Sequence, residues 1–294
     1  MKYKMHQKSL LYLILLLFSN LFSDPNANGG CKVASNPSSI VVAGGSIAEI
    51  LYYINEGDRI IGVDVTSTYP DAVKVLPSIG YVRNLSIEGV LSLNPTLILG
   101  EDDMGPKIVV DQLKEIDVEL QIIPEDQTID GIIEKIKCIA SIIGSNNQAE
   151  NIINDDLMPK IVELRSVQDS VKIKRKRVML ILSMQGTSPV VAGLGTSGDN
   201  YIKLIGAKNV FDSFRGWKPV SEEAVIQSDP DYFIIPSRDM HKNFDFKSIT
   251  TNAIFRNTKA GSKKKFIFDD AMVMLGFGPR TISSALRSAK QILK

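Results

Sequence analysis

The chain has 294 residues, 44% of them apolar and 23% charged, with a formal charge of +1. That is material for one large or two ordinary domains with sizeable cores, which excludes a disordered or fibrous chain. A charge so close to zero gives no general attraction to nucleic acid or acidic membranes, and the basic run VKIKRKR at 171–177 reads as a solvated linker.

Lys2, Lys4 and Lys8 precede the apolar run Leu10–Phe18. This is the pattern of a secretory signal, 1–23, cleaved after Ser23; the run is short for a membrane span, and an uncleaved anchor is the competing reading. Cleavage there removes three lysines and leaves the mature chain slightly acidic, in a periplasmic or extracytoplasmic location. Residues 24–38, rich in Asn, Pro, Gly and Ser, read as a tether. Cys31 follows Asn28-Gly29-Gly30 and is a candidate for a lipid anchor, although Asn28 stands where an aliphatic residue is usual. Cys138 lies on an apolar helical face and reads as core. Two cysteines so far apart give no disulfide framework.

Ile40–Ala43 is the first expected strand. Gly44-Gly45-Ser46 follows, and Ser46-x-x-Glu49 has the form of a capping box. The backbone N–H groups there suit either a plain helix cap or an anion such as a ligand carboxylate. Ile60–Val63 is the second strand, and Asp64–Tyr69 a polar turn stopped by Pro70, which pushes Tyr69 into an extended conformation. A short helix from Ser86, the strand Leu97–Leu99, the loop Gly100–Pro106, a helix Lys107–Ile116, the strand Glu119–Ile123 and a helix Thr128–Ile143 follow. Strands alternating with helices argue a parallel sheet covered on both faces. Residues 147–170 form one long helical pattern interrupted by Pro159.

Beyond it come strand Val178–Leu182, a loop Ser183–Ser188, strand Pro189–Ala192, helix Asp199–Ile205, strand Tyr232–Ile235, strand Phe266–Phe268 and a terminal helix begun by Pro279. Gly193–Gly198 matches G-x-G-x-x-G but lacks the strand and acidic residue of a dinucleotide site. Ser86-x-Glu88-x-Val90 with Pro95 before a strand recurs at one constant offset as Ser221-x-Glu223-x-Val225 with Pro230. A constant offset suggests two lobes on one plan; chance recurrence of a common helix–Pro–strand unit is the alternative.

The segments TSTYP, LPSIGYVR and LSIEGVLSLNPTLIL, at 66–99, and the tail DDAMVMLGFGPRT resemble haem-transport substrate-binding proteins, of the ABC-importer family that also carries vitamin B12 and ferric siderophores. The resemblance covers residue 38 to the C-terminus; the S-x-E…P pattern marks only the wider family. It implies a class III periplasmic binding protein: an N-terminal α/β lobe over 39–146, a linking helix over 147–170 and a C-terminal α/β lobe over 171–294. It implies a monomer, without catalysis, that captures haem between the lobes and delivers it to a permease dimer in the membrane.

On its own Tyr69 is either a Tyr-Pro surface turn or an oxygen ligand. The resemblance makes it the axial ligand of ferric haem, an established role for tyrosine. His241, the one histidine of the mature chain, and Met184 are candidates for a second axial position. Arg238 suits a haem propionate, since a guanidinium grips carboxylates bidentately, and Arg83 and Ser46 are further propionate or supporting candidates. Glu88 and Glu223 match the glutamates that dock each lobe on permease arginines in the resembled family; the alternative is two helix-start glutamates favoured by the dipole. Other readings are a corrinoid or siderophore carrier and a chelatase-like or reductase enzyme. A zinc or manganese carrier is disfavoured, since one histidine cannot build a multi-histidine site.

Overall fold

The computed structural model describes residues 31–185, 188–237 and 251–294. The expected signal peptide, its cleavage site, Arg238 and His241 lie outside them.

The first lobe runs β1 (Ile40–Ala43), α1 (Gly45–Tyr53), β2 (Ile60–Val63), a hairpin of β3 (Gly80–Tyr81) and β4 (Asn84–Leu85), α2 (Ile87–Leu91), β5 (Leu97–Glu101), α3 (Lys107–Lys114), β6 (Glu119–Ile123) and α4 (Ile129–Ile143). Its sheet has the order β2-β1-β5-β6, all parallel. Continuous apolar strands are what a sheet covered on both faces requires, and all four residues of β1 are buried. Their alternation sorts them: Ile40 and Val42 join Leu51, Ile132 and Ile136 under α1 and α4, whereas Val41 joins Ile98, Val90 and Leu113 under α2 and α3.

The chain leaves this lobe through α5 (Asn146–Ile152), a π-helical turn at Ile153–Leu157, and α6 (Met158–Ile173). The wide turn sits just ahead of Pro159, where the missing N–H interrupts the α-helical ladder.

The second lobe runs β7 (Arg177–Gln185), β8 (Ser188–Ala192), α7 (Ser197–Leu204), β9 (Lys208–Asn209), β10 (Trp217–Pro219), α8 (Glu222–Ser228), β11 (Tyr232–Ser237), α9 (Ala253–Arg256), α10 (Lys259–Ser262), β12 (Phe266–Asp270), α11 (Ala271–Leu275) and α12 (Pro279–Leu293). Its parallel part is ordered β9-β7-β11-β12, the order of the first lobe repeated. β8 and β10 are an antiparallel addition along the second half of β7. The chain is thus an α/β protein of two lobes joined by a long helix. The helical layers of both lobes merge into one core through Leu164 of α6 and Ile282 and Ala285 of α12.

Three expectations change here. Cys31 and Cys138 form a disulfide, closing a loop with a sequence separation of 107. Folding brings their Cα atoms to 5.3 Å, a proximity that sequence distance hides. A lipid thioether would need the same Cys31 sulfur, so the structure replaces the anchor at Cys31 with a cross-link. Second, residues 31–35 are not a free tether. Lys32 exchanges hydrogen bonds with Gln121, Ala34 N–H donates to Ile142 O at 2.8 Å, and Ser35 donates to Glu119. Third, within the expected loop Ser183–Ser188, Ser183, Met184 and Gln185 continue β7 and pair antiparallel with Val190, Pro189 and Ser188 of β8. At the G-x-G-x-x-G stretch, the Gly195 N–H is taken by the Asp199 carboxylate at 3.1 Å and Thr196 caps α7, so the glycines build a turn.

Candidate functional site

In doubly wound sheets ligands meet the loops at the carboxyl ends of the strands. The loop after β2 is built around Asp64, which is 1% exposed. Its Oδ1 accepts from Gly44 N–H at 3.0 Å and from the Thr66 hydroxyl at 2.9 Å, and its Oδ2 accepts from Thr66 N–H at 3.0 Å. Burial pushes the Asp64 carboxyl up, and these donors pull part of that shift back. The Thr66 hydroxyl also accepts from Gly45 N–H. Of the TSTYP segment, Thr66 and Ser67 are therefore the clamp and Tyr69 is the group presented, with its side chain well exposed.

The N-terminus of α1 is saturated from within the lobe: Gly44 donates to Asp64, Gly45 to Thr66 and Ser46 to Glu101. It is not an open anion cradle. The capping-box expectation changes with it. The N-cap is Gly44, in a left-handed conformation with φ 149°, and a Cβ there would lie 2.4 Å from Glu101 Cγ. Ser46, only 2% exposed, donates its hydroxyl to Glu101 at 2.7 Å, so it does not face a ligand carboxylate. Glu49 turns instead to the other lobe.

There it meets Arg280, in the first turn of α12. Glu49 Oε2 accepts from Arg280 Nε at 2.8 Å and Nη2 at 2.7 Å, and Oε1 accepts from the Arg280 backbone N–H at 2.9 Å. Held in this fork, the guanidinium sits over the Tyr69 ring, its carbon 3.7 Å from the ring centre. Arg83, a propionate or supporting candidate from sequence, is engaged in an ion pair with Asp103 and a hydrogen bond to the Tyr81 hydroxyl. Read from the sequence, Glu49 is only the far end of a capping box, and Arg280, Asp64 and Lys135 carry no site role. The GFGPRT tail contains Arg280, and the Asp64-x-Thr66 pattern is a known local turn signal.

Glu101, at the end of β5, is the titrating group of this region. Burial pushes it up to about 7 against the attraction of Lys135 and the Ser46 hydrogen bond. Glu125 beside it is raised by burial as well. Across the molecule, β7 ends with Leu182 and Met184 partly exposed. A small apolar pocket of about 110 Å³ lies there, between Ile181, Met184, Ile235 and Phe255. Met184 is thus part of an apolar wall on the second lobe. Among the described residues no cluster of His, Cys, Asp and Glu side chains is arranged to hold a metal ion.

Glu88 and Glu223 occupy the same place in the two lobes. Each is the second residue of a short helix, exposed, with a serine cap: Ser86 accepts from Gly89 N–H at 2.9 Å and Ser221 from Ala224 N–H at 3.3 Å. Val90 and Val225 anchor the two helices and are fully buried. The Glu223 carboxyl is held below its ordinary range by its own backbone N–H and the Ser221 hydroxyl.

Comparison with known proteins places this arrangement. A vitamin B12-binding protein of Pectobacterium atrosepticum is 26% identical over 201 residues, 68% of this chain and 71% of that one. The periplasmic haem-binding protein BhuT, solved with two haems, superposes with a TM-score of 0.76 at 29% identity, covering 87% of this chain and 97% of that one. The periplasmic haem-binding protein HutB of Vibrio cholerae gives a TM-score of 0.72 at 29% identity, covering 87% and 98%. The family model described as "Periplasmic binding protein" matches residues 40–273. With its repeated lobes and long linking helix, this chain belongs to the periplasmic binding protein family, whose members bind solutes rather than convert them.

Proposed function

We propose that this protein is an extracytoplasmic haem carrier that binds one ferric haem through Tyr69 and hands it to the permease dimer of an ABC importer. The observation that carries this reading is the presentation of Tyr69. Its phenol stands exposed on a loop clamped by Asp64, with the Arg280 guanidinium against the ring. A phenolate is a hard oxygen ligand suited to ferric iron, and a cation at the ring favours the negative charge the ligated oxygen carries. The likeness to solved haem-binding proteins at 29% identity supports the choice of ligand. Exposed Leu182 and Met184 offer the porphyrin an apolar face. Arg280 joins Tyr69 and Met184 in this reading, Arg83 and Ser46 being held by Asp103 and Glu101; Arg238 and His241, proposed from sequence for a propionate and a second axial position, lie outside the described residues. Glu88 and Glu223 dock the two lobes on the permease, and the carrier acts as a monomer.

A corrinoid is the second reading, favoured by the vitamin B12-binding relatives. Titration of the purified protein with haemin and, separately, with cyanocobalamin decides between them. The haem reading requires a new absorption spectrum saturating at about one haemin per chain. Binding of cyanocobalamin alone contradicts it.

A further inference from the structure

One buried cation of the first lobe has no place in the reading above. Lys135, on α4, has a side chain that is only 1% exposed. Burying an ammonium is costly unless it is paired and hydrogen-bonded, and Lys135 pairs with Glu125 and donates to the Ser46 hydroxyl at 3.3 Å. Its remaining partners belong to the second lobe: the carbonyl oxygens of Gly276 at 3.5 Å and Phe277 at 3.4 Å.

Those carbonyls lie in the turn between α11 and α12. Phe277 adopts φ 49° and is fully buried. A bulky residue in the left-handed region is a true outlier, and such strain persists only where the surroundings over-determine it. The Phe277 carbonyl faces the Lys135 ammonium across the boundary between the lobes. Gly278 follows, packed so that a Cβ would lie 3.0 Å from Glu49 Oε1, and then Pro279 and Arg280 begin α12. Glu49 grips the Arg280 side chain and its N–H, and Lys135 grips the backbone just before it. Together they fix the turn from both ends.

We propose that Lys135 is a positioning residue of the ligand site: from the first lobe it holds the Gly276–Phe277 carbonyls of the second and thereby sets the Arg280 guanidinium on the Tyr69 ring. The proposal rests on Tyr69 as the residue presented to the ligand. Lys135 itself touches no ligand; it acts through the turn and Arg280, and its counter-charges Glu125 and Glu101 keep it anchored in the first lobe.

The test reads the Arg280–Tyr69 contact directly, in the ligand-free protein. An arginine Nε–Hε resonance next to an aromatic face carries a ring-current shift. Arg280→Lys assigns that resonance, and Tyr69→Ala gives its position without the ring. In Lys135→Met the shift is expected to collapse towards the Tyr69→Ala position. The Lys135→Met/Glu125→Gln variant, which removes both charges of the pair, is expected to do the same while keeping its circular dichroism, and it stands in if the single variant does not fold. Leu164→Ala, a core change in α6, is expected to lower stability and leave the shift in place. A folded Lys135 variant with the Arg280 shift unchanged overturns the proposal. Haemin titration of the same variants is expected to show affinity reduced about tenfold. If wild-type protein takes up no haemin, the haem reading fails and the resonance still decides the role of Lys135.

Discussion

The Arg280 guanidinium lies over the Tyr69 ring, 211 residues away in sequence and in the other lobe, with the guanidinium carbon 3.7 Å from the ring centre. The contact joins three functions in one side chain. Arg280 ties the lobes together through Glu49, fixes the orientation of an exposed aromatic ring, and places a positive charge where a ligated phenolate would carry negative charge. Cation–π contacts contribute about 0.5–2 kcal/mol depending on desolvation, so the fork on Glu49 is the larger part of the structural effect.

Removing Arg280 is therefore expected to destabilise the fold mainly by stranding Glu49, whose side chain is 6% exposed. Arg280→Met should cost about 3–5 kcal/mol in denaturant unfolding, the range for breaking one side of a buried pair. Arg280→Met/Glu49→Leu should recover most of that loss, because no uncompensated charge remains. A double variant as unstable as the single one would show that the loss arises elsewhere.

The Cys31–Cys138 bridge predicts sensitivity to reductant. Closing a loop of this length constrains the unfolded chain by about 4.7 kcal/mol in the entropic account, an upper figure for what such bridges deliver. Cys31→Ser and Cys138→Ser should each lower stability by about 2–4 kcal/mol, and dithiothreitol should do the same to the wild type only. Mass spectrometry of the protein isolated from its native cells should find Cys31 disulfide-linked; a lipid thioether on Cys31 would contradict the structure.

Glu101 gives stability a pH dependence with a definite sign. Its carboxyl is raised from 4.5 to about 7, so the folded chain keeps a proton that the unfolded chain has already released. This contribution is fully present below about pH 4.5 and is lost as pH rises through about 7. Glu125 is shifted in the same direction. Glu101→Gln, which keeps the hydrogen-bonding shape, should flatten the fall in stability between those values. An unchanged pH profile in that variant would remove Glu101 as its source.

Much of this architecture was legible in the chain. The Ser86…Pro95 and Ser221…Pro230 units do stand at equivalent places in two lobes of the same strand order, because helix cap, buried valine and proline are local requirements of each unit. The post-strand position of Tyr69 was equally local. What escaped depends on long-range folding. Ser46-x-x-Glu49 reads as a cap, but Ser46 is drawn to Glu101 and Glu49 to Arg280, 231 residues away. Cys138 looked like core because it is buried at 9% exposure on an apolar helix face, which is also where its partner Cys31 arrives. Lys135 sits at one position of an otherwise apolar helical stripe, and nothing in its neighbours announces two carbonyls from the other lobe.

The matched glutamates predict a separation of binding from delivery. Both are exposed, and neither is needed to hold its helix, which the serine caps and buried valines do. Glu88→Ala/Glu223→Ala should fold and bind ligand as the wild type does, yet support no uptake through the cognate permease. Normal uptake by the double variant would exclude the docking role.

The most direct measurement is haemin titration of Tyr69→Phe beside the wild type. The substitution keeps the ring on Arg280 and removes only the oxygen. The account predicts a phenolate-to-iron charge-transfer absorption in the wild type, and its absence in Tyr69→Phe with weakened but residual binding from the apolar porphyrin face. Identical spectra and affinities for the two proteins would contradict it.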